Sequence, residues 1–130
     1  MNKSIFIALL VGVAVIAGAV LYRPNTQNSP AVGAVAATID ANGVQIVDIT
    51  ARGGYSPRVV RAEAGRETII RVLTKDTYDC SVSLVIPKLS YEKFLGPSGV
   101  EEIVVPPEKA QGTINGLCSM GMYSFKIVFS

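Results

Sequence analysis

From Val44 onward the chain is cut by glycine and proline into short segments rich in the residues that favour strands. Val44 to Thr50 reads as a strand and stops at Arg52-Gly53-Gly54. Ser56-Pro57 leads into Arg58 to Ala62, and Gly65 turns the chain again. Glu67 to Thr74 is dense in Ile and Val. Cys80 to Ile86 alternates, with Cys80, Val82, Leu84 and Ile86 on one face and Ser81 and Ser83 on the other, until Pro87 ends it. Ser90 to Leu95 reads equally as a helical turn or a short strand. Gly96-Pro97-Ser98-Gly99 is a turn, Val100 to Val105 a strand, and Pro106-Pro107 its stop. Gln111 to Leu117 runs up to a loop at Cys118. Met122 to Phe129 closes the chain, with Tyr123, Phe125, Ile127 and Phe129 on one face. Strands this short, punctuated this regularly, predict an all-β sandwich or barrel over 44–130.

The loop Cys118-Ser119-Met120-Gly121-Met122 places one thiol and two thioethers within a few residues. Thiolate and thioether are soft donors, a set that selects Cu(I) over harder metals. Glycine tolerates positive φ, so the loop need not follow strand alternation and can turn both thioethers toward one point. One other cysteine exists, Cys80. If the fold brings it beside the loop, two thiolates and two thioethers converge. The same thiols are also able to close a structural disulfide, and methionine often serves as core filler, a role that two of three methionines within four residues of a cysteine argue against.

Histidine is absent from the 130 residues. That removes Ser-His-Asp and Cys-His catalysis, histidine-ligated zinc and the His2Cys blue-copper site. Two cysteines are too few for a zinc knuckle or an iron–sulfur cluster. The net charge is +2 with Lys and Arg scattered, so no basic face for nucleic acid is visible. Gly53-Gly54 and Gly96 to Gly99 lack the length and lysine of a phosphate loop. Glu101 and Glu102 are adjacent and point to opposite faces of a strand, so they do not act on one atom. Asp76 and Asp79 read as solvated turn residues.

Ser4 to Tyr22 carries no charge and is built from Ile, Phe, Leu, Val, Ala and Gly. At about 1.5 Å per residue it reaches roughly the hydrocarbon thickness of a bilayer. Residues 1–23 are therefore expected to be a single-pass membrane anchor or a signal segment. Lys3 and the amino terminus oppose Arg23 almost equally, with a slight lean to a domain outside the cytoplasm. Residues 24–43 combine polar residues and proline with small Ala, Val and Gly, and are expected to form a flexible tether.

Tyr55-Ser-Pro-Arg-Val-Val-Arg-Ala-Glu-Ala-Gly65, Cys80 ahead of Ser81-Val-Ser-Leu-Val-Ile-Pro87, Leu95, and Cys118-Ser-Met-Gly-Met-Tyr123 together resemble cupredoxin-like domains ending in a Cys-x-Met-Gly-Met-Tyr signature. With one N-terminal apolar segment, the chain resembles CupA-type membrane-anchored Cu(I) chaperones; similar domains occur on copper-exporting P-type ATPases. The resemblance covers about Tyr55 to Ser130. It implies a Greek-key cupredoxin β-sandwich preceded by a transmembrane helix, with Cys80 in place of the usual histidine ligand. It further implies a Cu(I) centre of one or two ions on Cys80, Cys118, Met120 and Met122, in a non-enzymatic copper carrier. A copper-transporting P-type ATPase or another copper acceptor would be its partner. Ser119 stands where many relatives have glycine. Ser124-Phe125 stands where relatives often carry a more polar pair, which would alter the docking surface. Sulfurs that must stay reduced suit the cytoplasm better than the outside, which leaves the side of the membrane open.

Overall fold

The computed structural model describes residues 33–130, together with Ile7, Val11, Val13 and Ala14, which are helical. The anchor expected over 1–23 otherwise lies outside the described residues, as does most of the first half of the tether. Among the described residues no helix is long and apolar enough to cross a membrane. The chain divides into two units, Met1–Pro30 and Ala31–Ser130. The second is an all-β sandwich.

Its strands are β1 (Ala34–Ala36), β2 (Thr38–Ile39), β3 (Gln45–Ala51), β4 (Tyr55–Ser56), β5 (Val59–Ala62), β6 (Thr68–Thr74), β7 (Ser83–Ile86), β8 (Tyr91–Phe94), β9 (Gly99–Val105), β10 (Gly112–Cys118) and β11 (Ser124–Phe129). One sheet runs in the order β1-β5-β11-β10-β7-β8; the other runs β2-β3-β6-β9, with β4 paired to β3. The period-2 pattern seen in the sequence sets which face goes in. Val47, Ile49, Ile70, Val72, Ile103 and Val105 from one sheet meet Val60, Leu84, Ile86, Ile114, Phe125 and Ile127 from the other, all buried.

Two fixtures tie the layers. Buried Gln45 donates from Nε2 to the Glu63 carbonyl (3.2 Å) and to Thr68 Oγ1 (3.0 Å), and its Oε1 accepts from the Glu63 N–H (2.7 Å). Its amide is thereby satisfied inside the core, where an unpaired one costs about 1–3 kcal/mol. Near the opposite end, Phe125 lies across from Gly116 in the β10–β11 ladder, and a Cβ at 116 would overlap the Phe125 ring. The Phe125 ring also meets Tyr55 edge-on, centroids 5.1 Å apart.

Several expectations change. β1 and β2 fall within 24–43, the stretch expected to be a tether: β1 runs parallel to β5, and β2 antiparallel to β3. Edge pairing uses backbone groups and needs little side-chain bulk, so small residues suffice. The Asp40–Gly43 turn between β2 and β3 is held by Asp40 Oδ1, which accepts from Asn42 and Val44 N–H (both 2.9 Å). Cys80 to Val82 is a 3-10 turn, and the strand begins only at Ser83. Asp79 caps that turn through the Ser81 N–H (2.8 Å), so Ser81 points inward rather than outward. Of the two options at Ser90 to Leu95, the strand is adopted (β8), after a second 3-10 turn at Pro87–Leu89.

Candidate metal centre

Cys118 is the last residue of β10 and is fully buried, opposite Leu84 of β7. The loop after it is tight. The Gly121 N–H donates to the Cys118 carbonyl (2.8 Å) and the Cys118 N–H to the Tyr123 carbonyl (3.0 Å). Gly121 sits at φ 70°, a conformation for which only glycine carries no Cβ penalty. Ser119 anchors the loop sideways: its N–H donates to the Ser83 carbonyl (2.9 Å), and its hydroxyl accepts from Ser83 Oγ (2.8 Å).

Cys80 opens the 3-10 turn on the neighbouring side and is half-buried. Four contacts fix that turn. Tyr55 Oη donates to the Ser81 carbonyl (3.0 Å), Asp79 Oδ2 accepts from Gly53 N–H (2.7 Å), Asp79 Oδ1 accepts from Ser81, and the Leu95 N–H donates to the Val82 carbonyl (2.7 Å).

The two cysteines, distant in sequence, meet here. Both are free thiols, and each sulfur is near enough to shift the protonation of the other. Burial pushes the Cys118 thiol up, but the Cys80 hydrogen bond and the N–H groups of Tyr123, Met122 and Met120 outweigh it, and the net direction is down. The Cys80 thiol moves up, first because it donates to Cys118 and then because of burial. Cys118 is thus the more easily deprotonated of the two sulfurs, and the thiolate is the form that binds metal. Tyr55 is driven the other way, above the ordinary tyrosine range, by burial and then by Cys118, Cys80 and Asp79. It stays a protonated donor.

The thioethers are placed differently. Met120 is 74% exposed and Met122 63%. Met120 shares with Cys80 an apolar groove of about 460 Å³ that Tyr78, Phe94 and Pro97 also line. Met122 borders another hollow, with Arg52, Gly54 and Tyr123. The fold therefore brings Cys80 to Cys118 and leaves the two methionines on the solvent side of the loop, flanking it. The position of Asp79 differs from a solvated turn residue: it is the cap of the Cys80 turn, and hydrogen bonds from Ser81 and Gly53 hold its carboxyl below the usual range. Phe125 is 2% exposed, so of Ser124 and Phe125 only Ser124 can meet a partner. Sequence reasoning missed Tyr55 and Asp79 as supports of the site. Their only local signal is position, one beside the Gly53-Gly54 turn and the other immediately before Cys80.

Two cysteines and two methionines form a soft donor set suited to Cu(I). Among the described residues no three His, Cys, Asp or Glu side chains cluster as an alternative hard or borderline site.

A family model described as "Cupredoxin-like domain" matches residues 13–128. The metal binding domain of the Streptococcus pneumoniae D39 Cu(I) exporting P-type ATPase CopA, solved with Cu(I), is similar in fold: TM-score 0.65, 20% identity, covering 75% of this chain and 95% of that one. A copper binding protein solved in the apo form by NMR matches at TM-score 0.64 and 22% identity, covering 73% of this chain and 95% of that one. No curated protein matches the chain in sequence.

Proposed function

This chain belongs to the cupredoxin-like domain family, and from that premise we propose that it carries Cu(I) as cargo rather than electrons. One observation bears most of the weight. Two free thiols from separate elements come together at one end of the sandwich, beside a loop with two exposed thioethers, in a chain without histidine. A blue-copper electron-transfer site needs imidazole nitrogen, whereas Cu(I) is held well by sulfur alone.

In this reading Cys118 and Cys80 supply the thiolates, shared by one or two ions. Met120 and Met122 complete the coordination from the solvent side, where an incoming ligand displaces them as copper leaves. The chain acts as a carrier and performs no catalysis. The apolar run Ser4 to Tyr22 would tether it to a membrane, raising the local concentration of carrier near a membrane acceptor. A copper-transporting P-type ATPase is the acceptor we propose; the copper-bound domain similar in fold comes from a transporter of that class.

The test is an anaerobic Cu(I) titration of the reduced full chain against a chromophoric chelator, with thiols counted in parallel. The wild type is expected to take up one or two Cu(I), and Cys118→Ser to lose that uptake. Unchanged competition by the variant sinks the assignment. The proximity of the sulfurs also permits a Cys80–Cys118 disulfide in a purely structural domain. Protein that shows no free thiols before reduction, and takes up no Cu(I) after it, would establish that alternative. A visible absorption band on adding Cu(II) would revive electron transfer.

A further inference from the structure

We propose that the surface beside Met122 is a docking site for an acidic segment of the protein that exchanges copper with this domain, an inference that rests on the copper reading above. Two hollows adjoin there. One, of about 670 Å³, is lined by Arg58, Lys126, Asn115, Ser56 and Ser124, among others. The second, of about 420 Å³, shares Ser56, Arg58 and Ser124 and adds Arg52, Tyr123 and Met122. No Asp or Glu lines either hollow.

Arg52, Arg58 and Lys126 are exposed, and among the described residues none of them forms a salt bridge. This is not the result of a basic domain. The chain has 12 Lys and Arg against 10 Asp and Glu, and Lys3 and Arg23 are the only charges before Gly33, so residues 33–130 are formally neutral. Elsewhere Arg66 pairs with Glu63, Arg71 with Asp48 and Lys93 with Glu101, while Arg61, Lys75, Lys88 and Lys109 form no salt bridge among the described residues but line neither hollow. Asp79, whose carboxylate reaches Gly53 at the edge of the second hollow, is already occupied by hydrogen bonds from Gly53 and Ser81.

Unpaired cations converging on a recess concentrate positive potential, and arginine binds carboxylates in a bidentate fork. Ser56, Ser124 and Asn115 add neutral hydrogen-bonding groups for the rest of the segment. A protein seated here would hold its own copper ligand next to Met122, which is 63% exposed on the rim. On the other side of the loop, Tyr78, Phe94 and Pro97 make the Met120 groove largely apolar and its one charged lining residue is Asp79, so recognition of an acidic segment belongs to the Met122 side. The recessed shape favours a peptide over a bilayer, because a flat anionic surface does not enter a hollow.

The experiment uses the full chain in neutral detergent and a fluorophore-labelled octaglutamate peptide, read by anisotropy at low and high salt. The triple reversal Arg52→Glu, Arg58→Glu and Lys126→Glu is expected to weaken binding by about tenfold or more and to flatten its salt dependence. The control Lys75→Glu with Lys109→Glu, outside both hollows, is expected to stay within about twofold of wild type. Single Arg58→Gln and Lys126→Gln variants, each expected to weaken binding, replace the triple reversal if its melting temperature falls. Equal weakening by triple and control variants would overturn the proposal, as would a wild type that ignores octaglutamate and binds phosphatidylglycerol-containing vesicles instead. Cu(I) uptake measured by chelator competition is expected to be unchanged in the triple reversal. A wild type without Cu(I) uptake would overturn the copper reading alone, and the peptide data would still decide the surface.

Discussion

Phe125 and Met122 stand three residues apart and live in different physical regimes. Phe125 is 2% exposed, laid over Gly116 and against Tyr55; Met122 is 63% exposed and borders an open hollow. The first is fixed by packing on every side, so any change of volume there is felt through the core. The second is positioned only by the backbone of a tight loop. Cys118 sits at the boundary: its side chain belongs to the core, its hydrogen bonds to the loop. If the chain carries copper as proposed, the contrast teaches that holding the fold and handling a cargo fall to separate residues within one short stretch. In the proposed copper reading, the end of β10 presents the Cys118 sulfur and the exposed thioethers outside it can be exchanged without disturbing the sandwich. Stability and copper handling should therefore come apart under mutation.

The strongest way to break that separation is at Gly116. Gly116→Val puts side-chain atoms where the Phe125 ring now lies, and the ring cannot move without disturbing Tyr55. The expected loss is about 2–3 kcal/mol from overpacking, read as a lower melting temperature or denaturant midpoint. Cu(I) stoichiometry of the molecules still folded should stay as in wild type. If the variant keeps full stability but loses copper, the core and the site are one unit and the comparison fails.

Met120→Ala with Met122→Ala should do the reverse. Both side chains are mostly in water, so stability should change by no more than about 0.5 kcal/mol, the range for surface substitutions. Cu(I) affinity should fall roughly tenfold, about 1.4 kcal/mol, while both thiols remain competent. Competition with a Cu(I) chelator and a thermal melt on the same sample check both halves. Wild-type affinity in the double variant would remove the thioethers from the site and leave Cys80 and Cys118 alone.

The sandwich was legible where burial alternates over a full strand, as in β3, β6 and β11, although Gln45, Thr68 and Thr74 go inward while Leu73, and Val100 and Val104 of β9, face out. It was illegible where backbone pairing alone makes the strand. Ala34–Ala36 has no periodic signal because its partner β5 supplies the ladder and little is buried. Cys80 to Val82 carried a convincing alternation, but the Asp79 cap offers the backbone a local alternative to the sheet, and the turn wins. At the site, the Cys118 loop could be read directly because its donors are neighbours in sequence. Cys80 could not be joined to it from spacing; resemblance suggested the pair, and the meeting of β10, β7 and the 3-10 turn produces it. Tyr55 and Asp79 act through groups brought close only by folding, so beyond their places next to Gly54 and Cys80 nothing in the sequence marks them.

The gentlest probe of the fold side of the comparison lies at the far edge, where Glu101 of β9 reaches across to the other sheet. Its Oε1 accepts from Tyr91 Oη (2.8 Å), and Lys93 Nζ lies 2.8 and 2.9 Å from its two oxygens, both partners being on β8. Lys93, then Tyr91, hold the Glu101 carboxyl below the usual range against a smaller opposing effect of burial. Because the folded state lowers this pKa, the contribution is complete above the unfolded value of about 4.3 and fades as pH falls through the folded one. The pair is partly exposed and screened, so Glu101→Gln should cost only about 0.5 kcal/mol near neutral pH. That difference should shrink with added salt and disappear in acid, once the wild-type carboxyl is protonated too. Denaturation of both proteins across the acid range checks the sign: a gap that widens as pH falls would contradict it. Cu(I) uptake should be the same in both proteins, since Glu101, Tyr91 and Lys93 line neither the Met120 groove nor the Met122 hollow.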